Sequence, residues 1–280
     1  MLLPFSQVDV FSPEPLRGNP VAVVHGADAL NETQMQAFAR WTNLSETTFL
    51  LQPTTPDADY RLRIFTPAGE LPFAGHPTLG SAFAWLQADG TPKKERIIQE
   101  CGAGLIELRT AGDRLAFAAP PLTEDAVLTP DELAATAGAL RIDGADIVAA
   151  RRLANGPRFI AVQLRDADRV LDLEPNLPAV ADIAPTGLGV VGAHPDIADT
   201  AVEVRVFCPG IGVPEDPITG SFNAALAQWL TSDGTLPDAY VAAQGTAIGR
   251  AGRVHVTTDE YGAIWIGGDT TETIRGSVDL

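Results

Sequence analysis

The chain has 280 residues, 45% of them hydrophobic, which suffices for two domains that each bury a core. Its formal net charge of -17 argues against binding to nucleic acid or to an anionic membrane surface, because both need clustered lysine and arginine. Two cysteines, Cys101 and Cys208, are too few for a disulfide scaffold, and no apolar run is long enough for a signal peptide or a membrane span. We expect a soluble cytoplasmic protein.

Hydrophobic periodicity in the first part of the chain indicates several strands and two helices. Asn31 and Gln34 form a capping box, which predicts that a helix starts there. A second helix is predicted at residues 78–87, where apolar residues lie on nearly every side, as expected of a fully buried helix. The strands are predicted at residues 5–11, 20–24, 47–51, 60–65, 97–99, 104–108 and 115–118.

The second part of the chain shows a similar order. Thr129, Pro130 and Glu132 form the start signal of a helix, with proline at its first position. Another apolar helix is predicted at residues 219–230. The strands are predicted at residues 147–153, 158–164, 189–191, 201–207, 241–244, 253–257 and 264–266.

Two segments of the chain repeat one another. Residues 63–67 (Arg-Ile-Phe-Thr-Pro) are similar to residues 205–209 (Arg-Val-Phe-Cys-Pro). The apolar helix that follows the first segment is likewise similar to the helix that follows the second. More than half of the aligned residues are identical. The alignment pairs Gly80 with Gly220 and His76 with Asp216. A separation of half the chain is too long for a solenoid and indicates two homologous domains.

The predicted fold is therefore α+β, with two pseudo-symmetric domains. Each domain is a curved, mostly antiparallel sheet wrapped around one central helix, which explains why both helices lack a polar face. The Pro120-Pro121 pair marks the boundary, giving domains at 1–120 and 121–280, with the last few residues able to return to the first domain. Similar halves with different polar residues at matching helix starts suggest an active site between them.

Several functional motifs are excluded or disfavoured. Residues 187–192 match the dinucleotide pattern Gly-x-Gly-x-x-Gly, but no helical period follows, so a strand is favoured. Four scattered histidines lack metal-ligand spacing, so no metal is expected. The only lysines, Lys93 and Lys94, lie in a hydrophilic run, which argues against a Schiff-base cofactor. No cofactor is predicted.

Three polar segments remain as candidates for a site. Two of them, residues 75–77 and 215–221, lie where a loop enters a buried helix, so backbone amides at Gly75 and at Gly220 and Ser221 could hold a substrate carboxylate. The third places Glu46 beside an apolar strand, where a carboxyl group is costly unless it is used. A purely structural role stays open for each residue. In that alternative Asp216 belongs to a plain Asp-Pro turn, Ser221 is a buried helix residue, and Glu46 is an exposed acid in a turn.

Four motifs resemble the PhzF-like isomerases, named after phenazine biosynthesis, which share the fold of diaminopimelate epimerase. The motifs cover residues 17–20 (Arg-Gly-Asn-Pro), 43–47 (Asn-Leu-Ser-Glu-Thr), 71–80 (Leu-Pro-Phe-Ala-Gly-His-Pro-Thr-Leu-Gly) and 215–221 (Glu-Asp-Pro-Ile-Thr-Gly-Ser). The resemblance extends over nearly the whole chain. It implies a homodimer, and it implies that Glu46 is the acid/base that shuttles a proton.

The same resemblance assigns the other site residues. It implies that His76 and Asp216 are catalytic beside Glu46, and that the substrate is bound by Asn19, Ser45, Gly75, Gly220 and Ser221. The hypothesis is a cofactor-independent isomerase that transfers a proton on a small carboxylated, cyclic substrate such as trans-2,3-dihydro-3-hydroxyanthranilate. Two alternatives stay open: an amino-acid racemase or epimerase, and a metabolite-binding or scaffold protein without turnover. A two-thiol racemase is disfavoured, because neither cysteine lies at a helix start.

Overall fold

The computed structural model describes residues 1–280, which form two compact units. Unit 1 contains Met1–Ala118 together with Gly267–Leu280, and unit 2 contains Ala119–Ile266. None of the helices is both long and apolar enough to cross a membrane.

The regular elements alternate between strands and a few helices. The strands are β1 (Leu2–Val10), β2 (Asn19–Val24), β3 (Glu46–Leu51), β4 (Tyr60–Phe65), β5 (Glu70–Leu71), β6 (Ile97–Cys101), β7 (Gly104–Ala111), β8 (Arg114–Ala118), β9 (Glu124–Val127), β10 (Ile147–Ala154), β11 (Arg158–Leu164), β12 (Leu188–Ala193), β13 (Val202–Cys208), β14 (Val213–Asp216), β15 (Ala239–Gln244), β16 (Gly252–Thr258), β17 (Ile264–Gly268) and β18 (Thr270–Asp279). The helices are α1 (Glu32–Thr42), α2 (Gly75–Gln87), α3 (Pro130–Leu140), α4 (Ala167–Leu171), α5 (Leu177–Ile183) and α6 (Gly220–Ser232).

Two helix starts follow the predicted capping chemistry. In α1 the Asn31 side chain accepts from the Gln34 amide while the Gln34 side chain accepts from the Asn31 amide. Thr129 and Glu132 form the same reciprocal pair at the start of α3, with Pro130 in the first turn. These bonds satisfy amides that the helix itself cannot pair, and so they fix where each helix begins.

In each unit the sheet surrounds an apolar helix. The sheet of unit 1 has the order β18-β1-β2-β3-β4-β6-β7-β8, and α2 packs against strands from both ends of it. The sheet of unit 2 has the order β9-β10-β11-β12-β13-β15-β16, and α6 is buried along most of its length. The predicted central helices are both present, starting three residues earlier in α2 and one later in α6.

The strand pairings repeat from one unit to the other. In unit 1 the successive pairs from β1 to β7 are antiparallel, parallel, antiparallel, parallel and antiparallel. In unit 2 the pairs from β10 to β16 follow the same series. The internal repeat seen in the sequence is therefore a repeat of topology.

The structure corrects the register of that repeat. Leu71 lies opposite Ile64 in unit 1, and Asp216 lies opposite Val206 in unit 2, so Leu71 is the counterpart of Asp216. Counted from the helix starts, Gly75 corresponds to Gly220 and His76 to Ser221.

The sequence alignment was therefore wrong where it paired Gly80 with Gly220 and His76 with Asp216. A short 3-10 helix at Pro209–Ile211 lengthens the segment between β13 and α6. The sequence alignment had assumed that this segment is shorter than its counterpart between β4 and α2. The Gly80-Ser81 pair imitates Gly220-Ser221, because small residues recur along both buried helices.

The glycine-rich segment at residues 187–192 leads into strand β12, as expected, and its glycines allow close packing. A Cβ at Gly189 would lie 2.2 Å from the Phe222 ring of α6, and one at Gly192 would lie 2.1 Å from the Asp166 carbonyl oxygen. Real side chains do not approach so closely. The glycine spacing therefore reflects the packing of strand against helix, not the binding of a dinucleotide.

Candidate active site

Glu46 and His76 lie side by side in unit 1. His76 is the second residue of α2, and Glu46 is the first residue of β3. The Nε2 atom of His76 lies 3.3 Å from the Oε2 atom of Glu46, with the two side chains only 4% and 13% exposed. The two atoms are within ion-pair distance but are not aligned as a hydrogen bond. A buried carboxyl group beside an imidazole is an arrangement suited to proton transfer.

Local structure explains why Glu46 reaches this position. Asn43 ends α1 in the left-handed conformation, with φ of 55°, which turns the chain toward β3. The hydroxyl groups of Thr42 and Thr47 are 2.8 Å apart and join the helix end to the strand start. Glu46 then pairs with Val21 of β2, so its backbone is held by the sheet.

The hairpin between β1 and β2 supplies Asn19. This side chain is fully buried, and its Nδ2 atom lies 3.2 Å from His76 Nδ1. Ser45 donates to Asn19 Oδ1 at 3.5 Å. A neutral imidazole carries one proton on two nitrogens, so the contacts of Nδ1 decide whether the nitrogen that faces Glu46 is a donor or an acceptor.

Asp9 holds that hairpin and was missed by the sequence analysis. Its Oδ2 atom accepts from the backbone amides of Arg17 and Gly18, at 3.0 and 2.9 Å. A Cβ at Gly18 would lie 2.3 Å from the Val10 carbonyl oxygen, so only glycine fits this turn. The alternation of the strand gave no signal for Asp9, because it lies between Val8 and Val10 and the period assigns it to the opposite face.

Burial keeps the imidazole of His76 neutral. Removal from water lowers the pKa of His76 from 6.5 to about 3, and a hydrogen bond to the Pro20 carbonyl opposes part of that shift. At physiological pH the ring therefore carries one donor and one acceptor nitrogen and no charge. It can orient and polarise a neighbouring group, but it is not an imidazolium acid.

A second polar cluster lies in unit 2, where β14 leads into α6. Thr219 donates to Asp216 Oδ2 at 2.6 Å. The side-chain oxygen of Gln244 accepts from the Thr219 amide at 3.0 Å, and its nitrogen donates to the Asp216 carbonyl at 3.1 Å. Asn223 donates to both Thr219 O and Gln244 Oε1 at 3.0 Å. The loop that carries Asp216 is thus held by buried side chains.

The starts of α2 and α6 present backbone amides, as predicted. Gly75 and His76 occupy the first turn of α2, and Gly220 and Ser221 occupy the first turn of α6. Amides of a first helical turn have no acceptor within the helix, and the helix dipole favours an anion there. The carbonyl of Ser221 accepts from the buried side chain of Asn155 at 2.8 Å, which fixes the helix start.

The structure therefore brings the candidate residues together in two groups. Unit 1 holds Glu46, Ser45, Asn19, Gly75 and His76. Unit 2 holds Asp216, Gly220 and Ser221. That all of them meet at one site stays a prediction.

Both cysteines lie in strands, outside the two groups of candidate residues. Cys208 is buried in β13, Cys101 is half-buried at the end of β6, and neither lies at the start of a central helix. Burial raises the pKa of the Cys101 thiol, which disfavours its thiolate form. No group of three or more His, Cys, Asp or Glu side chains is arranged to hold a metal ion.

Comparisons with known proteins agree with this architecture. The family described as phenazine biosynthesis-like protein matches residues 8–276. The chain is 37% identical to antisense-enhancing sequence 1 of Schizosaccharomyces pombe, with 97% of each chain covered. It is also 37% identical to trans-2,3-dihydro-3-hydroxyanthranilate isomerase of Pseudomonas aeruginosa, covering 91% of this chain and 90% of that one.

A solved structure shows the same fold. The PhzF-family phenazine biosynthesis protein of Bacillus anthracis superposes with a TM-score of 0.85 at 22% identity, covering 100% of both chains. This likeness confirms the predicted fold class.

The family match and the relatives together define the class of this protein as an isomerase. The match along nearly the whole chain identifies the family as well. The chain belongs to the phenazine biosynthesis-like family, the PhzC/PhzF proteins.

Proposed function

We propose that this isomerase moves a proton between two carbons of a small, carboxylated, cyclic substrate, and that Glu46 is the acid/base. The observation that carries the proposal is the 3.3 Å approach of Glu46 Oε2 to a buried, neutral His76. The relative named trans-2,3-dihydro-3-hydroxyanthranilate isomerase supplies the substrate class to be tried first.

The proposed step needs one titrating group. Glu46 takes a proton from a carbon beside an unsaturated system, and the electron pair of the broken C–H bond shifts through that system. The same carboxyl group then returns the proton to a carbon further along. No oxidant or reductant is consumed, since the product is an isomer of the substrate.

His76 has a supporting role in this proposal. With a pKa of about 3 it is uncharged at neutral pH, so it cannot be the acid that protonates the product carbon. Its neutral ring can hold the Glu46 carboxyl group in one orientation and polarise a polar group of the substrate. Asn19 restrains the ring from the opposite nitrogen.

The residues of unit 2 supply binding in the same proposal. The amides of Gly220 and Ser221 suit a substrate carboxylate, because they lie in the first turn of a 13-residue helix. Asp216 suits an amino or hydroxyl group, because an ionised carboxylate only accepts hydrogen bonds. The carboxylate and the amino or hydroxyl group would together set substrate choice.

The deciding experiment is turnover of trans-2,3-dihydro-3-hydroxyanthranilate by the wild type and by Glu46→Gln. Glutamine keeps the shape of the side chain but has no basic oxygen. We expect turnover to fall by roughly 10²–10⁴-fold with binding retained, the usual contribution of a positioned acid/base. Full activity of the variant would remove Glu46 from the mechanism. A wild type that binds the compound without converting it would point to another substrate or to a binding role.

A further inference from the structure

Thr219 occupies the N-cap of α6 but does not cap it. Threonine at this position normally accepts a hydrogen bond from an amide of the first turn, which contributes about 1 kcal/mol to stability. Here no side-chain cap bond forms. The hydroxyl donates to Asp216 Oδ2 at 2.6 Å instead. A residue type suited to stabilising the helix is thus engaged with a candidate site residue.

The direction of this hydrogen bond is fixed by backbone groups. The Thr219 amide can only donate, so the side-chain oxygen of Gln244 must face it. The Asp216 carbonyl can only accept, so the side-chain nitrogen of Gln244 must face that. These two backbone groups therefore fix the orientation of the Gln244 amide.

One consequence follows for the threonine hydroxyl. Gln244 Nε2 also lies 3.0 Å from Thr219 Oγ1, so it donates a proton to that oxygen. The hydroxyl has a single proton, and its other neighbour is Asp216 Oδ2. These hydrogen bonds form a directed chain: Gln244 donates to Thr219, and Thr219 donates to the Asp216 carboxylate, whose oxygens can only accept.

We infer that Gln244 and Thr219 are positioning residues that orient the Asp216 carboxylate as an acceptor for an N–H or O–H donor on the substrate. The inference rests on the proposed function, and deepens it by naming the residues that orient Asp216 toward that group. The natural ligand would carry an amino or hydroxyl donor in addition to its carboxylate. The unit 1 helix has Ala74 at the corresponding N-cap, so only unit 2 carries this hydroxyl.

The test compares three variants with the wild type on trans-2,3-dihydro-3-hydroxyanthranilate. Thr219→Val removes the hydroxyl at nearly constant shape, and Thr219→Ser keeps it. Thr231→Val is the matched control, because Thr231 lies in the same helix and its hydroxyl bonds back to the Ala227 carbonyl. Thermal unfolding of each variant shows whether it is folded.

We expect Thr219→Val to raise KM about tenfold with kcat within about threefold, the effect of losing one hydrogen bond to a charged group. Thr219→Ser should restore KM, and Thr231→Val should change neither constant. A Thr219→Val variant with wild-type constants, a serine variant as poor as the valine variant, or a loss confined to kcat would overturn the inference.

A measurement on the free wild-type protein separates this inference from the proposed function. Both side-chain amide protons of Gln244 are donated inside the protein, so by NMR they should exchange with solvent far more slowly than those of the exposed Gln34. Thr219→Ser should preserve that protection. Fast exchange at Gln244 would refute the directed chain even if Glu46 proves to be the base. Slow exchange in a protein that does not convert the substrate would leave the directed hydrogen bonds intact and count only against the proposed function with this substrate.

Discussion

Arg205 and Glu215 form a two-point ion pair, with Nε to Oε1 at 2.9 Å and Nη2 to Oε2 at 2.8 Å. Arg205 also donates to the carbonyl oxygens of Val170, Leu171 and Leu173 and lies over the ring of Phe207. Glu215 directly precedes Asp216, so this pair fixes the short strand that presents a candidate site residue.

Unit 1 contains an equivalent two-point ion pair between the same types of atom. Arg63 contacts Glu70 through Nε to Oε1 at 2.7 Å and Nη2 to Oε2 at 2.6 Å, and its guanidinium lies over Phe65. Glu70 lies in the short strand ahead of α2, which carries His76. The repeated Arg-x-Phe motif of the sequence is thus a clamp on the segment that enters each central helix.

The first prediction concerns these two clamps. Replacing Arg205 by Met leaves the Glu215 carboxylate, which is only 11% exposed, without its partner, so we expect a loss of about 3–5 kcal/mol in the free energy of unfolding. Arg63→Met should cost less, because Glu70 is 37% exposed and water can replace the lost partner. Urea denaturation of both variants measures the difference. Equal losses would show that burial does not decide the strength of the clamp.

The second prediction concerns Gly80, where α2 touches the sheet. A Cβ there would lie 2.4 Å from Val21 Cγ1 and 3.0 Å from Val10 Cγ2. Gly80→Ala should therefore destabilise unit 1 by about 1–3 kcal/mol, and a second change, Val21→Ala, should recover part of that loss.

The control for Gly80 is Gly138 in α3, which is exposed and has nothing within 4 Å of its hypothetical Cβ. Gly138→Ala should stabilise the protein by about 0.5–1 kcal/mol, because alanine loses less backbone entropy on folding. A Gly80→Ala variant that gains stability in the same way would contradict the close contact with Val21.

Several elements could be predicted from sequence because a local rule determines them. The starts of α1 and α3 follow from capping boxes, and the two central helices follow from apolar periodicity. The short helices α4 and α5 were missed, since five and seven residues are too few to show a helical period. Strand β18 was missed because most of its residues are polar and exposed, so that no alternation marks it.

Some residues of the candidate site were predicted from the sequence and others were not, for a similar reason. Asn19 and Ser45 were identified by resemblance, and Glu46 also by its place beside an apolar strand. The structure places Glu46 and Asn19 at His76, and Ser45 is bonded to Asn19. The contribution of Gln244 depends on a strand 25 residues away, and that of Asp9 depends on how the loop after β1 folds back, so no periodic pattern reveals them. The register of the repeat needed the strand pairings, since small residues recur in both helices and allow false letter matches.

The third prediction concerns pH and His76. Its pKa is about 3 in the folded protein against about 6.5 when unfolded, so the unfolded state binds the extra proton between these values. Stability should therefore fall as pH drops below about 6.5, by up to the order of 4 kcal/mol near pH 3 from this group. The unfolding free energy of wild type and His76→Gln, measured from pH 7 to 4.5, tests this.

The expected outcome is a flatter profile for His76→Gln over that pH window. His25→Gln is the comparison, because burial also lowers the pKa of His25 and that variant still contains His76. It should keep most of the dependence on pH. Direct NMR titration gives an independent check, and a His76 ring that gains its proton near pH 6.5 would contradict the buried, neutral state.

The last prediction concerns the number of bases, which separates the proposed isomerase from a racemase. A racemase needs a base on each face of one carbon, and the cluster around His76, which is neutral at pH 7, has one carboxyl group at its ring, that of Glu46. A single base that removes and returns a proton on one face should deliver part of the substrate's own label to the product. We expect substrate deuterated at the reacting carbon to yield product that retains part of the deuterium at its new position. Wild-type turnover in ordinary water, followed by mass spectrometry and NMR, measures the retained fraction. Asp216→Asn should weaken substrate binding without changing that fraction, because the shuttle itself remains. Complete loss of label together with inversion at a stereocentre would instead require a second base and favour the racemase.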